Sequence, residues 1–514
     1  MIRIITLIFA LLSCISQRAQ TSVITKPMLD DTISVPNGGI FRTWSGSLKN
    51  IKIINVFEES PYNNNSNLLY CRYDWCQLEP EKGLYEFSKI ESLMKRALAN
   101  HQRILIGLAN MTIAKSSAHY EYDNKQISTP KYIYDALKKS RYPFLKDETY
   151  LAGGYSPDYN SPFLYQRYKS LLVAFAKWLD GNVEGTSIKR RYTVYGIETR
   201  YAGYWGEGSI NGKIYPIDYK VLDRYMKLYI KYFPDIQLIG GAHETNHLPN
   251  YAGDDLSKYN AKQLAAMRHV YHLLNLKNKY GRIGLFIDSW HPNSNQYDSV
   301  SKRVLLDDEN HIIHLYDYFK IHVYGQVYLT GEFDYFVNKS NQGNLPYVLL
   351  EEQFTNRHTS GITLSNMNVH NAGQYVKRIQ YIYDNTKKVM AFTGYRIVLD
   401  KTYVSEDKVA FTLTNIGISK IFHNYYQLHL IIKDSKGKTV SDIPSDFDLR
   451  TLDYCKKSPL EYDSNNGKLI TFKLPKEKGR VYLIIKDKYG IEYPMTLSNY
   501  GRQNDGSYYL GEIK

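Results

Sequence analysis

Residues 68–87 read LLYCRYDWCQLEPEKGLYEF, and this stretch shows the unit from which the first part of the fold is built. The apolar run Leu68–Tyr73 is followed by a polar turn that contains Pro80 and Gly83, and the amphipathic stretch Lys89–Asn100 comes next. A short apolar run indicates a buried strand, and apolar residues three and four apart indicate a helix. The stretch therefore predicts one strand–loop–helix unit.

The same alternation continues over residues 36–393. The apolar runs predict strands at Ile51–Val56, Leu68–Tyr73, Arg103–Leu108, Tyr192–Ile197, Ile236–Gly240, Ile283–Asp288, Tyr318–Val323, Tyr347–Glu351 and Val389–Thr393. The amphipathic stretches predict helices at Lys89–Asn100, Tyr165–Leu179, Val221–Phe233, Lys262–Leu276 and Gly373–Asp384. Repeated strand–helix alternation predicts an α/β fold, a (β/α)₈ TIM barrel over residues 36–393. Because the runs exceed eight, Ile51–Val56 is either the first barrel strand or an extra one. The long loop from Ala109 to Ser161 is expected to be functional or locally ordered.

The pattern changes after Gly394. Short runs lie between Gly, Asn and Asp turns, and amphipathic helices are no longer evident. These runs predict strands at Lys408–Thr414, Gln427–Lys433, Lys468–Leu474 and Arg480–Lys486. The pattern is typical of an antiparallel β-sandwich, which we expect over residues 394–514.

Composition limits the function classes. The chain has 514 residues, enough for two domains, and only 4 Cys, so a disulfide framework is not expected. Cys71 and Cys76 are expected to be reduced buried thiols rather than a disulfide. The formal net charge of +14 is spread along the chain without a long basic run, so a nucleic-acid groove is not expected. Most of the 49 Tyr are expected to fill the core, and others to form a carbohydrate-contacting surface.

The first 20 residues, MIRIITLIFALLSCISQRAQ, predict a signal peptide. Arg3 supplies the positive end, and Ile4–Leu12 is too short an apolar core to span a bilayer. Two processing routes stay open: cleavage near Gln20, or cleavage before Cys14 at a lipobox-like sequence, which would leave a lipid on Cys14. Both routes predict an exported protein, in the periplasm or at the cell surface, with no membrane contact except through that lipid.

Active-site groups of such a barrel lie at the C-terminal ends of its strands, and three segments carry polar groups there. In the first, Arg72 could orient a carboxylate and Trp75 could stack on a sugar, while Glu79-Pro80 closes the strand–loop unit. In the second, Trp205-Gly206-Glu207, an adjacent Trp can raise the pKa of the Glu207 carboxyl, as a general acid requires.

The third segment ends in Glu351-Glu352. Adjacent side chains of a strand point to opposite sides, so only one of the two faces the barrel mouth. Glu351 is the expected nucleophile and Glu352 the alternative. Trp290, His322 and Tyr324 follow later strands and are further candidates for lining the pocket. Trp205 and Trp290, like Trp75, are expected to bind sugar rings.

Metal and cofactor motifs are weak or missing in the sequence. His243, Glu244 and His247 could ligate a metal, but a sugar-binding loop or plain surface polarity accounts for them better. Phosphate-binding and dinucleotide-binding glycine motifs and a nucleophile elbow are absent. We therefore expect no cofactor and no metal.

The motif Trp75-x-x-Leu78-Glu79-Pro80-x-x-Gly83-x-Tyr85-x-Phe87 resembles a signature of family 42 beta-galactosidases and their clan A relatives among glycoside hydrolases. The resemblance implies a retaining (β/α)₈ enzyme whose acid/base Glu follows strand four and whose nucleophile Glu ends strand seven. It carries these roles to Glu207 and Glu351. Clan A usually has Asn directly before the acid/base, where this chain has Gly206.

A second resemblance covers nearly the whole mature chain. Trp205-Gly206-Glu207, Gly394-Tyr395-Arg396, Thr414-Asn415-Ile416-Gly417 and the end from Leu497 to Gly511 look similar to an uncharacterised bacterial group. In that group a clan-A-like barrel precedes a C-terminal domain of unknown function.

The sequence thus predicts an exported glycoside hydrolase that acts on a polysaccharide or oligosaccharide through two carboxylates, one protonating the leaving oxygen and the other attacking the anomeric carbon or activating water. Retention or inversion stays open on the residues alone. The alternative is a non-catalytic glycan-binding protein on a degenerate hydrolase barrel, which Gly206 favours.

Overall fold

The computed structural model describes residues 40–42, 68–110, 121–123, 125–147, 154–201, 219–241, 248–279, 281–287, 302–323, 329–331, 394–454 and 467–513. The chain divides into two compact units between Thr393 and Gly394. The first unit spans Gly38–Thr393, and the second contains Gly394–Lys514.

The first unit is built around one parallel sheet. Its strands are β1 (Ile40–Arg42), β2 (Leu68–Asp74), β3 (Arg103–Asn110), β4 (Val194–Thr199), β5 (Gln237–Gly241), β6 (Gly284–Ile287) and β7 (Leu329–Gly331). Every neighbouring pair is parallel, and the order across the sheet is the order along the chain. The C-terminal ends of these strands therefore share one edge of the sheet. An α/β fold, as predicted, is confirmed.

Helices connect these strands. They are α1 (Trp75–Leu78), α2 (Ser88–Ala99), α3 (Lys131–Lys138), α4 (Pro162–Leu179), α5 (Arg190–Thr193), α6 (Tyr219–Tyr232), α7 (Ala261–Asn275) and α8 (Leu315–His322). The start of α4 shows why a helix begins there: the Ser161 hydroxyl accepts the N–H of Leu164 at 3.2 Å, and Pro162 occupies the first helical position. Asn260 and Gln263 form a reciprocal capping box at the start of α7.

The helices cover one face of the sheet. Ile104, Ile106, Ile197 and Leu238 of the strands lie in one apolar core with residues of α2, α4 and α6. Full burial of such a side chain stabilises the fold by roughly 1.5–3 kcal/mol. Tyrosines fill much of this core, as expected: Tyr159, Tyr168, Tyr201, Tyr225 and Tyr229 are buried, and their rings contact one another.

The described part of the loop between β3 and α4 is locally ordered, which is one of the two expectations for this loop. It holds α3 and a small sheet formed by Glu121–Tyr122, Lys125–Gln126, Leu145–Asp147 and Gly154–Ser156. Two further pairs of short antiparallel strands belong to this unit, Lys277–Asn278 with Gly281–Arg282 and Val304–Leu306 with Ile312–His314.

The strand predicted at Tyr318–Val323 is wrong, because these residues belong to α8 and the turn that follows it. Leu315, Tyr318 and Phe319 are buried, whereas Ile321 is 64% exposed. This spacing buries one side of a helix, which a short apolar run does not reveal by itself. β1 and β7 were not predicted, and Ile51–Val56, Tyr347–Glu351, Val389–Thr393 and Gly373–Asp384 lie outside the described residues.

The second unit contains two antiparallel sheets. Its strands are β8 (Ile397–Val404), β9 (Lys408–Asn415), β10 (Tyr426–Lys433), β11 (Thr439–Pro444), β12 (Lys468–Lys473), β13 (Gly479–Asp487) and β14 (Tyr508–Ile513). One sheet has the order β8-β9-β12 and the other β11-β10-β13-β14. Alternate residues of both sheets, such as Leu399, Phe411, Leu430 and Leu483, share one apolar core. The four strands predicted here are confirmed to within a residue or two.

Short segments that the sequence analysis singled out in the second unit come together. The Asn415 carboxamide oxygen accepts the N–H groups of Arg396 at 2.9 Å and Gly417 at 3.0 Å. The Arg396 guanidinium donates to the Ser498 hydroxyl at 2.7 Å. The Asn499 Oδ1 atom accepts the N–H of Leu399 at 2.8 Å, and its Nδ2 atom donates to the Leu399 carbonyl at 2.8 Å. The side chain thus bonds to the backbone of β8 as a neighbouring strand would. These motifs therefore hold the unit together.

Gly417→Ala is expected to destabilise the second unit by about 3 kcal/mol, at the upper end of overpacking costs. A Cβ at this position would lie 2.5 Å from the Arg396 nitrogen and 2.5 Å from the Gly394 oxygen, and backbone atoms cannot rotate away. The free energy of unfolding from chemical denaturation measures the effect. Ser435→Ala, in an exposed turn, is the control and should change stability by less than about 0.5 kcal/mol. A Gly417→Ala protein as stable as this control would contradict the expectation.

Two smaller findings complete the fold. Cys76 is a free, buried thiol, and burial raises the pKa of this thiol well above its usual value. Among the described residues, none of the helices combines the length and the apolar character that a membrane crossing requires.

Candidate functional site

The C-terminal ends of β2 and β4 carry charged residues in one row. Arg72 pairs in register with Gly107, and Gly107 pairs with Glu198. Residues in register lie on the same side of a sheet, and alternate residues lie on opposite sides. Because Tyr73, Ile106 and Ile197 face the helices, the row lies on the opposite face of the sheet.

The most deeply buried ionic pair of this row is Glu198 with Arg200. The Arg200 Nε atom donates to the Glu198 Oε2 atom at 2.9 Å, and Nη2 donates to the same oxygen. Both residues are only 1% exposed. Charges so deeply buried are retained only when they are paired, since removing one partner leaves the other desolvated. The pair thus fixes a carboxylate and a guanidinium where β4 ends.

Arg72 lies where the sequence analysis expected a site residue. It is 7% exposed, and it occupies the same row as Glu198. Glu198 and Arg200 were missed. The predicted strand ended at Ile197, two residues too early, although charged residues at the end of an apolar run are the type of signal that identified Arg72.

Trp75 is buried in the core, whereas its predicted role requires an exposed indole. Its side chain is 0% exposed, and its ring packs edge-on against Tyr168 with 5.1 Å between the ring centroids. Its Nε1 atom donates to the Glu79 Oε2 atom at 2.9 Å. An indole without exposed surface cannot stack on a sugar, so the expected role of Trp75 is wrong. Trp75 belongs to the core because Glu79 satisfies its only polar atom.

Glu79 is the centre of this buried network. Its Oε1 atom accepts the N–H of Gly83 at 2.9 Å and pairs with the Arg167 guanidinium, while its side chain is fully buried. Arg167 also donates to the Tyr132 hydroxyl at 3.1 Å. Burial raises the pKa of Tyr132, so its hydroxyl keeps its proton. The loop after β2 is thus anchored through Glu79, in keeping with the expectation that Glu79-Pro80 closes the strand–loop unit.

His322 lies at the wrong edge of the sheet for the predicted role. It ends α8, and its carbonyl oxygen accepts the Arg282 Nη1 atom at 3.3 Å. Arg282 precedes β6, so the contact marks the N-terminal edge of the sheet, whereas active sites of such folds occupy the C-terminal edge. Burial and the neighbouring Arg282 lower the pKa of His322.

The other predicted site residues lie outside the described residues: Trp205, Glu207, Trp290, Tyr324, Glu351 and Glu352. Their order along the chain still relates them to the sheet. Glu207 comes after β4 in the sequence. The seventh strand of the described sheet is β7, Leu329–Gly331. Glu332 directly follows β7 in the sequence, and Glu351 comes later.

Within the described part of the chain, one group of side chains has metal-ligand types close together: Asp307, Glu309 and His311. They lie on the turn between Val304–Leu306 and Ile312–His314. The Asp307 carboxylate accepts the N–H groups of Glu309 at 3.0 Å and His311 at 2.7 Å. The carboxylate therefore stabilises the turn, and the exposed arrangement needs no ion to explain it.

No protein-family model and no curated protein match the chain. Solved structures that resemble it include the catalytic domain of a beta-amylase from Paenibacillus polymyxa, with a TM-score of 0.40, 12% identity, and coverage of 65% of this chain and 94% of that one. A GH30 endoxylanase from Clostridium papyrosolvens C71 has a TM-score of 0.34 and 10% identity over 88% and 95% of the two chains.

Endo-glycoceramidase II from Rhodococcus sp., as its lactosyl-enzyme intermediate, has a TM-score of 0.41 and 11% identity over 87% of this chain and 99% of that one. All three neighbours are glycoside hydrolases. At these TM-scores and identities, the likenesses do not assign an activity to this chain.

Proposed function

We propose that the protein is an exported glycoside hydrolase that cleaves a polysaccharide or oligosaccharide with two carboxylates. The proposal is carried by the parallel sheet, whose strands follow one another in chain order. Arg72 and Glu198 form a buried row near the C-terminal ends of its strands, and Glu207 follows β4 in the sequence. Such a sheet is typical of a (β/α)₈ barrel, which assembles its active site from the C-terminal ends of several strands.

In this proposal, Glu207 protonates the glycosidic oxygen and then activates water. The second carboxylate attacks the anomeric carbon, the bond to the leaving oxygen breaks, and water later releases the sugar with retention. The nucleophile has to be ionised, and a nearby guanidinium lowers the pKa of a carboxyl. Arg72, at the end of β2, would supply that cation and orient the nucleophile. The Glu198–Arg200 pair would hold the floor of the site rigid.

Three glutamates compete for the role of nucleophile. Glu351, with Glu352 as its alternative, keeps the assignment made from the apolar run before it. Glu332 directly follows the strand that holds seventh place in the described sheet, which is the position that the family resemblance gives to the nucleophile. Single Glu→Gln variants of the three separate them, because only the nucleophile variant should lose activity on every substrate.

Substrate binding and location belong to the same proposal. Trp205 and Trp290 follow β4 and β6 in the sequence, where exposed indoles would bind the apolar faces of sugar rings. The signal peptide would direct the protein to the periplasm or cell surface, with Cys14 as the lipid attachment point if the lipobox is used. Globomycin sensitivity of processing and a mass increase at Cys14 would distinguish the lipidated form from the soluble one.

The direct test is hydrolysis by the purified protein on a panel of aryl glycosides and polysaccharides. Release of the aryl group or of reducing sugar, strongly reduced in Glu207→Gln for substrates with a poor leaving group, supports the hydrolase. The alternative is a non-catalytic glycan-binding protein, favoured by Gly206 in the place where clan A has an Asn that contacts the sugar. Retention on glycan gels without turnover on any substrate would support that alternative and contradict the hydrolase.

A further inference from the structure

The second unit contains a polar cavity of about 230 Å³. It lies at the end of one sheet where β10 begins and where β11 and β13 end. Its lining includes Asn424, Gln427, Asp446, Phe447, Arg450 and Lys488. A cavity of this size has room for one small polar molecule or one residue of a chain, and a few placed polar groups in a concave site are the usual form of a ligand site.

The walls of this cavity are held in place by local bonds. His423 is 5% exposed, and its ring stacks on Tyr425 with 4.7 Å between centroids and 16° between planes. The Ser445 hydroxyl accepts the N–H of Phe447 at 3.1 Å. The Gln427 carboxamide donates to the Ser445 carbonyl at 3.3 Å. The site is therefore formed before any ligand binds, which reduces the entropic cost of binding.

The charged groups of the cavity fall into two kinds. Asp448 and Arg450 are committed to each other, with Nε–Oδ1 at 2.9 Å and Nη2–Oδ2 at 2.6 Å, and the guanidinium lowers the pKa of Asp448. The Lys488 ammonium and the Asp446 carboxylate form no hydrogen bond or ion pair with the part of the chain that the structure describes. The Lys488 ammonium, a donor, and the Asp446 carboxylate, an acceptor, are thus available to a ligand in the cavity.

These two groups determine the chemistry that the cavity accepts. A carboxylate only accepts hydrogen bonds, and an ammonium only donates them, so the matching ligand offers both donors and acceptors close together. The lining has two carboxylates and two cations, so a ligand without net charge fits best. Phe447 adds an aromatic surface for C–H groups. Hydroxyls around a partly apolar ring meet all of these conditions.

We propose that this cavity is a binding site for one neutral sugar residue of a glycan. Lys488 would donate to a ring hydroxyl, Asp446 would accept from another, and Phe447 would contact the apolar face of the ring. Burial lowers the pKa of Lys488, while the nearby Asp448 carboxylate raises it and the Arg450 guanidinium lowers it further. The site does not depend on hydrolysis, because its residues belong to the second unit alone.

Affinity electrophoresis of the full chain tests the proposal on gels containing neutral glucan, xylan, mannan or galactan, or acidic polygalacturonate. All of the proteins carry Glu207→Gln so that turnover does not change the gel, and they have either the wild-type cavity, Lys488→Met or Asp446→Asn. The matched controls are Lys486→Met and Asp442→Asn, since Lys486 and Asp442 pair with each other at 2.6 Å on the same sheet without lining the cavity. Circular dichroism melting checks that every variant is folded.

We expect a neutral glycan to retard the wild type, and each cavity variant to bind it about tenfold more weakly, since a lost hydrogen bond to a charged group is worth about that factor. The controls should bind like the wild type. Three results would overturn the proposal: no retardation by any neutral glycan, retardation by polygalacturonate alone, or cavity variants that bind like the controls. If the protein with Glu207 intact hydrolysed no aryl glycoside but a neutral glycan still retarded it, only the hydrolase would be refuted.

Discussion

Glu207→Gln is expected to lower kcat/KM for an aryl glycoside with a poor leaving group by about 10²–10⁴-fold. The amide keeps the size of the side chain but cannot give a proton to the departing oxygen, so the glycosidic bond must break without general-acid assistance. Steady-state kinetics on a series of aryl glycosides measures the loss. The loss should shrink as the phenol becomes more acidic, since a stable phenolate leaves without protonation.

This dependence on the leaving group separates Glu207 from the nucleophile. A nucleophile variant removes the group that attacks the anomeric carbon, so its defect should be similar for acidic and weakly acidic phenols. Glu351→Gln, Glu352→Gln and Glu332→Gln are compared on the same series. A uniform loss for Glu207→Gln, or an unchanged rate, would refute its assignment as acid/base.

Glu79→Gln is expected to lower the free energy of unfolding of the first unit by about 3–5 kcal/mol, the usual cost of breaking a buried ion pair. The fully buried carboxylate accepts from Trp75, from Gly83 and from Arg167. The Gln amide would turn a donor toward at least one of these donors and leave Arg167 without its counter-charge. Urea denaturation followed by circular dichroism measures the change.

Glu81→Gln is the matched control, because Glu81 is exposed in the same loop. It should change stability by less than about 0.5 kcal/mol. A double-mutant cycle with Trp75→Phe then tests whether the indole and the carboxylate act together. If Glu79→Gln proved no more costly than the control, Glu79 would not anchor the loop.

The sequence predicted the longer elements of the sheet, because an apolar run bounded by polar turns is strong evidence of a buried strand. β2 and β3 begin at the predicted residues, and α2 and α7 are displaced by one residue. β1 and β7 have three residues each, too few to show any period. The same shortness made part of α8 look like a strand.

The site was less predictable, because exposure and neighbours depend on the folded chain. Arg72 lies at the strand end that was predicted, since position along a parallel strand follows from the apolar run. Trp75 looked like a surface residue among polar neighbours, but Glu79, one helical turn later, satisfies its nitrogen inside the core. Glu198 was missed because the rule that ends a strand at its last apolar residue stops at Ile197.

The division of the chain at Thr393 has an optical consequence. All five Trp residues precede the division, at positions 44, 75, 178, 205 and 290, whereas the second unit carries Tyr but no Trp. Emission excited at the red edge of the spectrum, where only indoles absorb, therefore reports the environment of the first unit alone. Loss of the fully buried site of Trp75 on unfolding would shift that emission toward longer wavelength. A circular dichroism transition without this shift would identify the second unit as the one that had unfolded.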